Sequence, residues 1–233
     1  MNNSYSVVVP AYNAAETVEE ALHSLLTQTI LPEVIILVDD GSADDTGLRA
    51  AQLDSRISVI RQTNQGCGAA TTTGIAAVTT PFVAFLDADD LWLPNKAERQ
   101  LVRLSERTEV AALVAQAQIF RGSTQSPQLG PANDVWGRTT LMMRTEAAMN
   151  IGEIIDPPGG RGDMVDWIAR GRELGYAFEQ MNEVLAMRRI RPGSLSYGRD
   201  AEKDRGYLLT VKRALERKRA AAARSTTHTV SDE

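Results

Sequence analysis

The stretch FVAFLDADDLWLP, Phe82 to Pro94, decides how this chain reads. Five apolar residues, Phe82 to Leu86, run into carboxylates at Asp87, Asp89 and Asp90, and the chain then turns apolar again and meets a proline. A short unbroken apolar run suits a strand covered on both faces, as in a parallel sheet. Like charges crowded at its end raise one another's pKa unless something positive neutralises them. A hard divalent cation is an economical neutraliser, because it favours oxygen ligands and keeps water and substrate phosphate in its shell. The pattern points to a magnesium or manganese site that holds a diphosphate. In Asp87-Ala88-Asp89 the alternation lets one carboxylate face the metal and the other a sugar hydroxyl or water.

Working outward, three more β-branched runs read as strands: Ser6–Pro10, Val34–Val38 and Ile57–Ile60. Val18, Ala21, Leu22, Leu25 and Leu26 form one face of a helix between the first two. A second helix is expected to open at Ser42, with Asp45 three residues on, and a third to cover Ala69–Val78. Strand and helix in this rhythm predict an α/β fold with right-handed crossovers, in which ligands bind at the carboxyl ends of the strands. Three of these four strands end in polar residues: PAYN after the first, DDGS after the second and DADD after the fourth. Each cluster alone has a plainer explanation. DDGS is common turn chemistry, and an aspartate after a strand often caps the next helix.

The second half is less regular. Ala97, Leu101 and Leu104 mark a helix after Pro94, and Ala111–Phe120 reads as a strand. Arg121–Asp134, rich in Gly, Ser, Pro and Gln, is expected to be a mobile connection. Thr139–Arg144 and Glu183–Ile190 read as strands and Gly162–Gly175 as a helix. From about Asp200 a long helix follows, with Leu208, Val211 and Leu215 as its apolar stripe and a disordered tail, STTHTVSDE, after it. The boundaries drawn are 1–110, a nucleotide-sugar-binding half; 111–199, an acceptor-binding and catalytic-base half; and 200–233, the helix and tail.

Composition narrows the classes. The chain of 233 residues is 43% hydrophobic, enough for one sizeable core. A net charge of −5 argues against nucleic acid as a partner. A single cysteine, Cys67, allows no internal disulfide and no cysteine-rich zinc site. No apolar run approaches the ~20 residues of a membrane-spanning helix, and MNNSYSVVVP lacks the regions of a signal peptide. A cytoplasmic protein is expected. The closing helix is basic, with six Lys/Arg against one Glu from Arg205 to Ala222, and suggests an acidic partner or peripheral membrane contact. A solvated basic face explains it equally simply.

VVVPAYNAAETVEEALHSLLTQT, VDDGSADDT and FVAFLDADDLWLPNK together resemble the successive signatures of glycosyltransferase family 2, an inverting family with the GT-A fold. The likeness covers about the first hundred residues and continues more loosely, through GDMVDWIARGRELGYAF and EVLAMRRIRPGSLS, to about Ser196. It implies an α/β, Rossmann-like sandwich with a mostly parallel sheet between helices. It also implies transfer of a sugar from a nucleoside diphosphate sugar, UDP-linked by preference, to an unknown acceptor with Mn2+ or Mg2+ as cofactor. By the resemblance, Pro10, Ala11, Tyr12 and Asn13 line the nucleotide pocket, with Tyr12 beside the base. Asp39 or Asp40 binds the uracil edge, and Gly68, Ala88 and Arg191 also contact the donor. Asp87 and Asp89 match the family's D-x-D, with Asp89 the direct metal ligand, and Asp163 stands where the catalytic base is expected, ahead of Asp166. Simpler roles stand beside these: Asn13 as a helix cap with Glu16 three residues on, Tyr12 as a packing aromatic, and Asp163 as a cap of its own helix.

The chain departs from the family pattern in three places. Thr71–Ile75 replaces a common Arg-Asn, Gly162 replaces a Glu before the base, and Arg191 replaces a histidine and cannot ligate metal while charged. A degenerate relative that binds nucleotide or a partner without turnover is therefore one rival. A nucleotidyltransferase is another, although PAYNAAET has neither the Gly nor the Lys of its phosphate loop. A dinucleotide-binding oxidoreductase would need G-x-G-x-x-G after the first strand, and that motif is missing.

Overall fold

The computed structural model describes residues 3–191, 197–198 and 201–228. Strands β1 (Tyr5–Ala11), β2 (Val34–Asp39), β3 (Ile57–Arg61) and β4 (Phe82–Phe85) pair in parallel in the order β3-β2-β1-β4. Helices α1 (Val18–Leu26), α2 (Thr46–Leu53) and α3 (Cys67–Ala76) cover them. Every residue of β1 is buried, because its alternating side chains enter two separate cores. Val7 and Val9 join Leu22, Leu25, Ile35 and Leu37 on one face. Val8 joins Ile36, Val38, Ile75, Phe85 and Trp167 on the other. Burial of each such side chain contributes roughly 1.5–3 kcal/mol.

The sheet then reverses. β8 (Met142–Arg144) runs antiparallel to β4 and passes the sheet on to β6 (Val110–Arg121), β9 (Ala177–Arg189) and β5 (Leu91–Trp92). β9 follows nearly all of one edge of β6, while β8 and then β7 (Gln128–Val135) share the other. Helices α4 (Lys96–Glu106), α5 (Thr145–Ile151), α6 (Asp163–Glu173) and α7 (Ala201–His228) complete the chain.

Several expectations change. Residues 128–134 are not a loose connection but most of β7, an edge strand on β6. The stretch Thr139–Arg144 is a strand only from Met142, since Arg138–Thr140 form a 3-10 turn. Ser42 does not open α2, which starts four residues later; its hydroxyl instead accepts the Asn13 amide at 2.9 Å. Leu208, Val211 and Leu215 do not pack inward, since all three are exposed and α7 docks through Gly206 and Thr210. The expected tail is helical as far as His228, and its last five residues, like 192–196 of the RPGSLS segment, lie outside the described residues. Trp92 and Trp167 are both buried in the core rather than free to stack on a sugar.

Candidate active site

A cavity of about 580 Å3 opens at the carboxyl ends of β1 and β4. Of the residues singled out from sequence, Pro10, Tyr12, Asp87, Ala88, Asp89, Asp163 and Arg191 line it. Ala11, Asn13, Asp39, Asp40, Gly68 and Asp166 stand outside that lining.

The loops after β1 and β2 are tied together. Asn13 adopts φ +48, a conformation Asn tolerates better than most residues, and its Oδ1 accepts the Ala43 amide at 2.9 Å. It does not cap α1, whose N-cap is Thr17. Asp40 is fully engaged, taking Gln62 Nε2 at 2.8 Å and the amides of Gln65 and Gly66 at 2.9 Å each. Asp39 uses one oxygen for the Ser42 amide at 2.9 Å. Its other oxygen, Oδ2, is buried without a hydrogen bond, and Arg61 Nη1 stands 3.4 Å away. Of the two, only Asp39 keeps spare acceptor capacity. Tyr12 is 53% exposed, so it does not serve as a packing aromatic. Gly68 leads into α3 with its amide on Asp156 Oδ2 at 2.8 Å, where a Cβ would meet the Ile154 carbonyl at the same distance.

The three carboxylates after β4 have different surroundings. Asp90 is buried, accepting the Thr139 hydroxyl and, at 2.8 Å, the Arg189 amide. Burial, with the charges of Asp89 and Asp87 behind it, pushes its carboxyl well above the ordinary range. Asp87 Oδ1 accepts Arg138 Nε at 2.7 Å. Asp89 is the open one, its nearest ion partner being Arg191 Nε at 3.7 Å. Burial first, and Asp87 second, raise the Asp89 carboxyl, with Arg191 opposing. A hard cation would relieve that cost, and one open carboxylate beside Asp87 fits a magnesium- or manganese-type ion completed by water and phosphate oxygens. Among the described residues, no group of three or more His, Cys, Asp or Glu is arranged to hold a metal unaided.

Asp163 is the first residue of α6. Gly162, at φ +104, takes the cap position and leaves the Asp163 side chain free of capping. Its carboxylate accepts Arg138 Nη1 instead, so one buried guanidinium bridges Asp87 and Asp163. Asp166, one turn on, faces away and pairs with Arg217 at 2.9 Å and Arg170 at 3.1 Å. Arg191 Nε is buried and makes no hydrogen bond among the described residues.

Sequence reading missed Arg138, the centre of this arrangement. Its turn is fastened from below: Trp92 Nε1 donates to the Thr139 carbonyl at 2.9 Å and Gln100 Nε2 to the Thr140 carbonyl at 2.8 Å. The available signal was the like-charge cluster itself, for which an arginine is as good a neutraliser as a metal. Also missed were Tyr207, on the cavity wall, and Cys67, whose thiol burial pushes upward, leaving a small neutral side chain there.

A curled, mostly parallel sheet with acidic strand ends over a single cleft is the architecture of GT-A glycosyltransferases. The chain belongs to glycosyltransferase family 2: residues 6–159 match the sequence model described as Glycosyl transferase family 2. It is 30% identical over 207 residues to TuaG of Bacillus subtilis, a glycosyltransferase named for teichuronic acid biosynthesis, covering 82% of this chain and 81% of that protein. It is 38% identical over 136 residues to an uncharacterized glycosyltransferase of Nostoc, covering 53% of this chain but only 42% of the relative. Over 98 residues it is 35% identical to WfgD of Escherichia coli, named as a UDP-Glc:alpha-D-GlcNAc-diphosphoundecaprenol beta-1,3-glucosyltransferase, covering 41% of this chain and 39% of that one. Among solved structures, S. aureus TarS 1-349 in complex with UDP-GlcNAc superposes with a TM-score of 0.68 at 21% identity, covering 84% of this chain and 62% of TarS. The mannosyltransferase PcManGT of Pyrobaculum calidifontis, in complex with GDP-Man and Mn2+, gives 0.65 at 18%, covering 82% of this chain and 58% of that one. These two likenesses show the fold.

Proposed function

We propose that the protein transfers a sugar from a nucleoside diphosphate sugar, UDP-linked by preference, to an acceptor nucleophile by a metal-assisted inverting displacement. The observation that carries this is one cavity walled by an open carboxylate, Asp89, and by Asp163, with Arg138 fixing the spacing through Asp87. Family membership supports the reaction class, and the nucleotide-sugar complexes of TarS and PcManGT support the donor class.

Asp89, with Asp87 beside it, would hold Mn2+ or Mg2+, and when bound such an ion supplies Lewis-acid charge to the departing diphosphate. Pro10 and Tyr12 would wall the nucleotide, while the spare oxygen of Asp39 stands behind them for the base. Ala88 keeps the loop small where the donor passes. Arg191, charged and short of a hydrogen bond, would contact phosphate oxygens. Asp163 would accept the acceptor's proton as it attacks the anomeric carbon from the opposite face. The pairing of Asp166 with Arg217 and Arg170 favours Asp163 over it as the base.

Calorimetric titration with UDP, with and without manganese, tests this reading. Manganese-dependent binding that Asp89→Ala weakens at least about tenfold is expected. Absence of binding by UDP, GDP and TDP alike would sink it, leaving a scaffold of this family without donor chemistry.

A further inference from the structure

Helix α7 packs through small residues and leaves its large apolar ones outside. Gly206 lies so close to the preceding loop that a Cβ there would stand 2.2 Å from the Arg161 carbonyl oxygen. Thr210 is buried on the same side, and Arg217 reaches inward to Asp166 at 2.9 Å and Glu173 at 2.7 Å. At 3.6 residues per turn these positions define the docked face and turn Leu208, Val211 and Leu215 to the opposite one. Those three are 74%, 52% and 51% exposed. Arg205, Lys212 and Arg219, seven residues apart and all exposed, run along one flank of this stripe, and exposed Lys218 marks the other. Between Arg205 and Ala220 the single acidic residue is Glu216, in a chain whose net charge is −5.

We infer that the outer face of α7 docks on an anionic lipid surface. An apolar strip bordered by cations is the pattern of a helix lying in a bilayer interface, its apolar side chains among the acyl chains and its Lys and Arg among the headgroups. Charge selects this occupant over a second copy of the chain, which would bring the same cations against themselves. An anionic bilayer supplies both the opposite charge and the apolar layer. Tyr207, next to the stripe, lines the cavity. Docking therefore sets the cavity beside the headgroups.

The test is sedimentation of the full chain with vesicles, which requires neither donor nor metal and so is independent of the transfer reaction. Vesicles of phosphatidylcholine alone are compared with an equimolar mixture with phosphatidylglycerol. Partition onto the anionic vesicles is expected to exceed that onto neutral ones by about tenfold or more. Lys212→Glu with Arg219→Glu should abolish the difference. Leu208→Ser with Val211→Ser and Leu215→Ser should lower anionic binding about tenfold. All five positions are exposed, so thermal melts of both variants should match the parent. Equal or negligible binding to the two vesicles overturns the inference. So does a dimer, seen by light scattering and lost in the triple serine variant, that leaves no vesicle binding, since the stripe is then covered by a second copy.

Discussion

Arg138 Nε meets Asp87 Oδ1 at 2.7 Å, although the two residues lie 51 positions apart. The other arm of the same guanidinium holds Asp163, so the motif aspartate and the candidate base share one buried cation. Arg138→Ala strands two carboxylates in a poorly hydrated wall, and breaking a buried pair this way costs about 3–5 kcal/mol. Urea denaturation should show a loss of that order. Arg138→Lys should recover only part of it, because an ammonium lacks the planar fork that reaches both partners.

Asp163→Asn separates binding from chemistry. Asp89, Tyr12 and Arg191 are untouched, so UDP affinity should stay within about threefold of the parent. Transfer should fall by about 10²–10⁴, the usual worth of a positioned general base. Calorimetry and a release assay for the nucleoside diphosphate give the two numbers. An equal loss in both would assign Asp163 to the donor site instead.

Lys96 is wholly buried, with Nζ 3.7 Å above the centre of the Trp92 ring and donating to Gln100 Oε1 at 2.7 Å. Burial pushes its pKa well below 10.5. The unfolded chain therefore binds more protons than the folded one between the depressed value and 10.5, and in that window stability rises with pH. Lys96→Met removes the dependence. Denaturation midpoints at several pH values should show wild type gaining on the variant as pH climbs from neutrality toward 10.5. A constant gap would mean that the lysine stays charged over the indole.

Gly206→Ala places a methyl against the Arg161 carbonyl, where no flexible side chain can yield. Helix α7 must shift, at an overpacking cost of about 1–3 kcal/mol. Limited proteolysis should cut near residues 197–205 faster in the variant, and the lower melting temperature should follow the same order.

Much of the donor half was legible because its signals are local. β1 to β4 are continuous apolar runs, and α1 buries Val18, Ala21, Leu22 and Leu25 at helical spacing. β7 carried no such signal. It is an edge strand with mostly exposed residues, and Gly130 and Pro131 sit where the register slips opposite Ile119. A bulge at an edge is one of the few places a strand tolerates proline, so the composition of a loop concealed a strand. The stripe of α7 misled for the opposite reason. Helical periodicity shows that apolar residues share a face and is silent on what that face meets; the docking was settled by Gly206, which has no side chain to advertise it. Arg138 was hidden by distance along the chain, since its partnership with Asp87 exists only once β6 and β8 bring the turn under β4.

β6 gives one edge to β9 and divides the other between β8 and β7. Cutting the chain at residue 110 would leave β4, buried along its whole length, as a naked edge open to any passing strand. The two halves are thus one object mechanically, and hybrids made by swapping halves between relatives should aggregate. β7 is different, since it leans on β6 alone. A chimera builder can trade that hairpin and the loops around it, and so alter what the cleft accepts, without disturbing the floor on which the donor would rest.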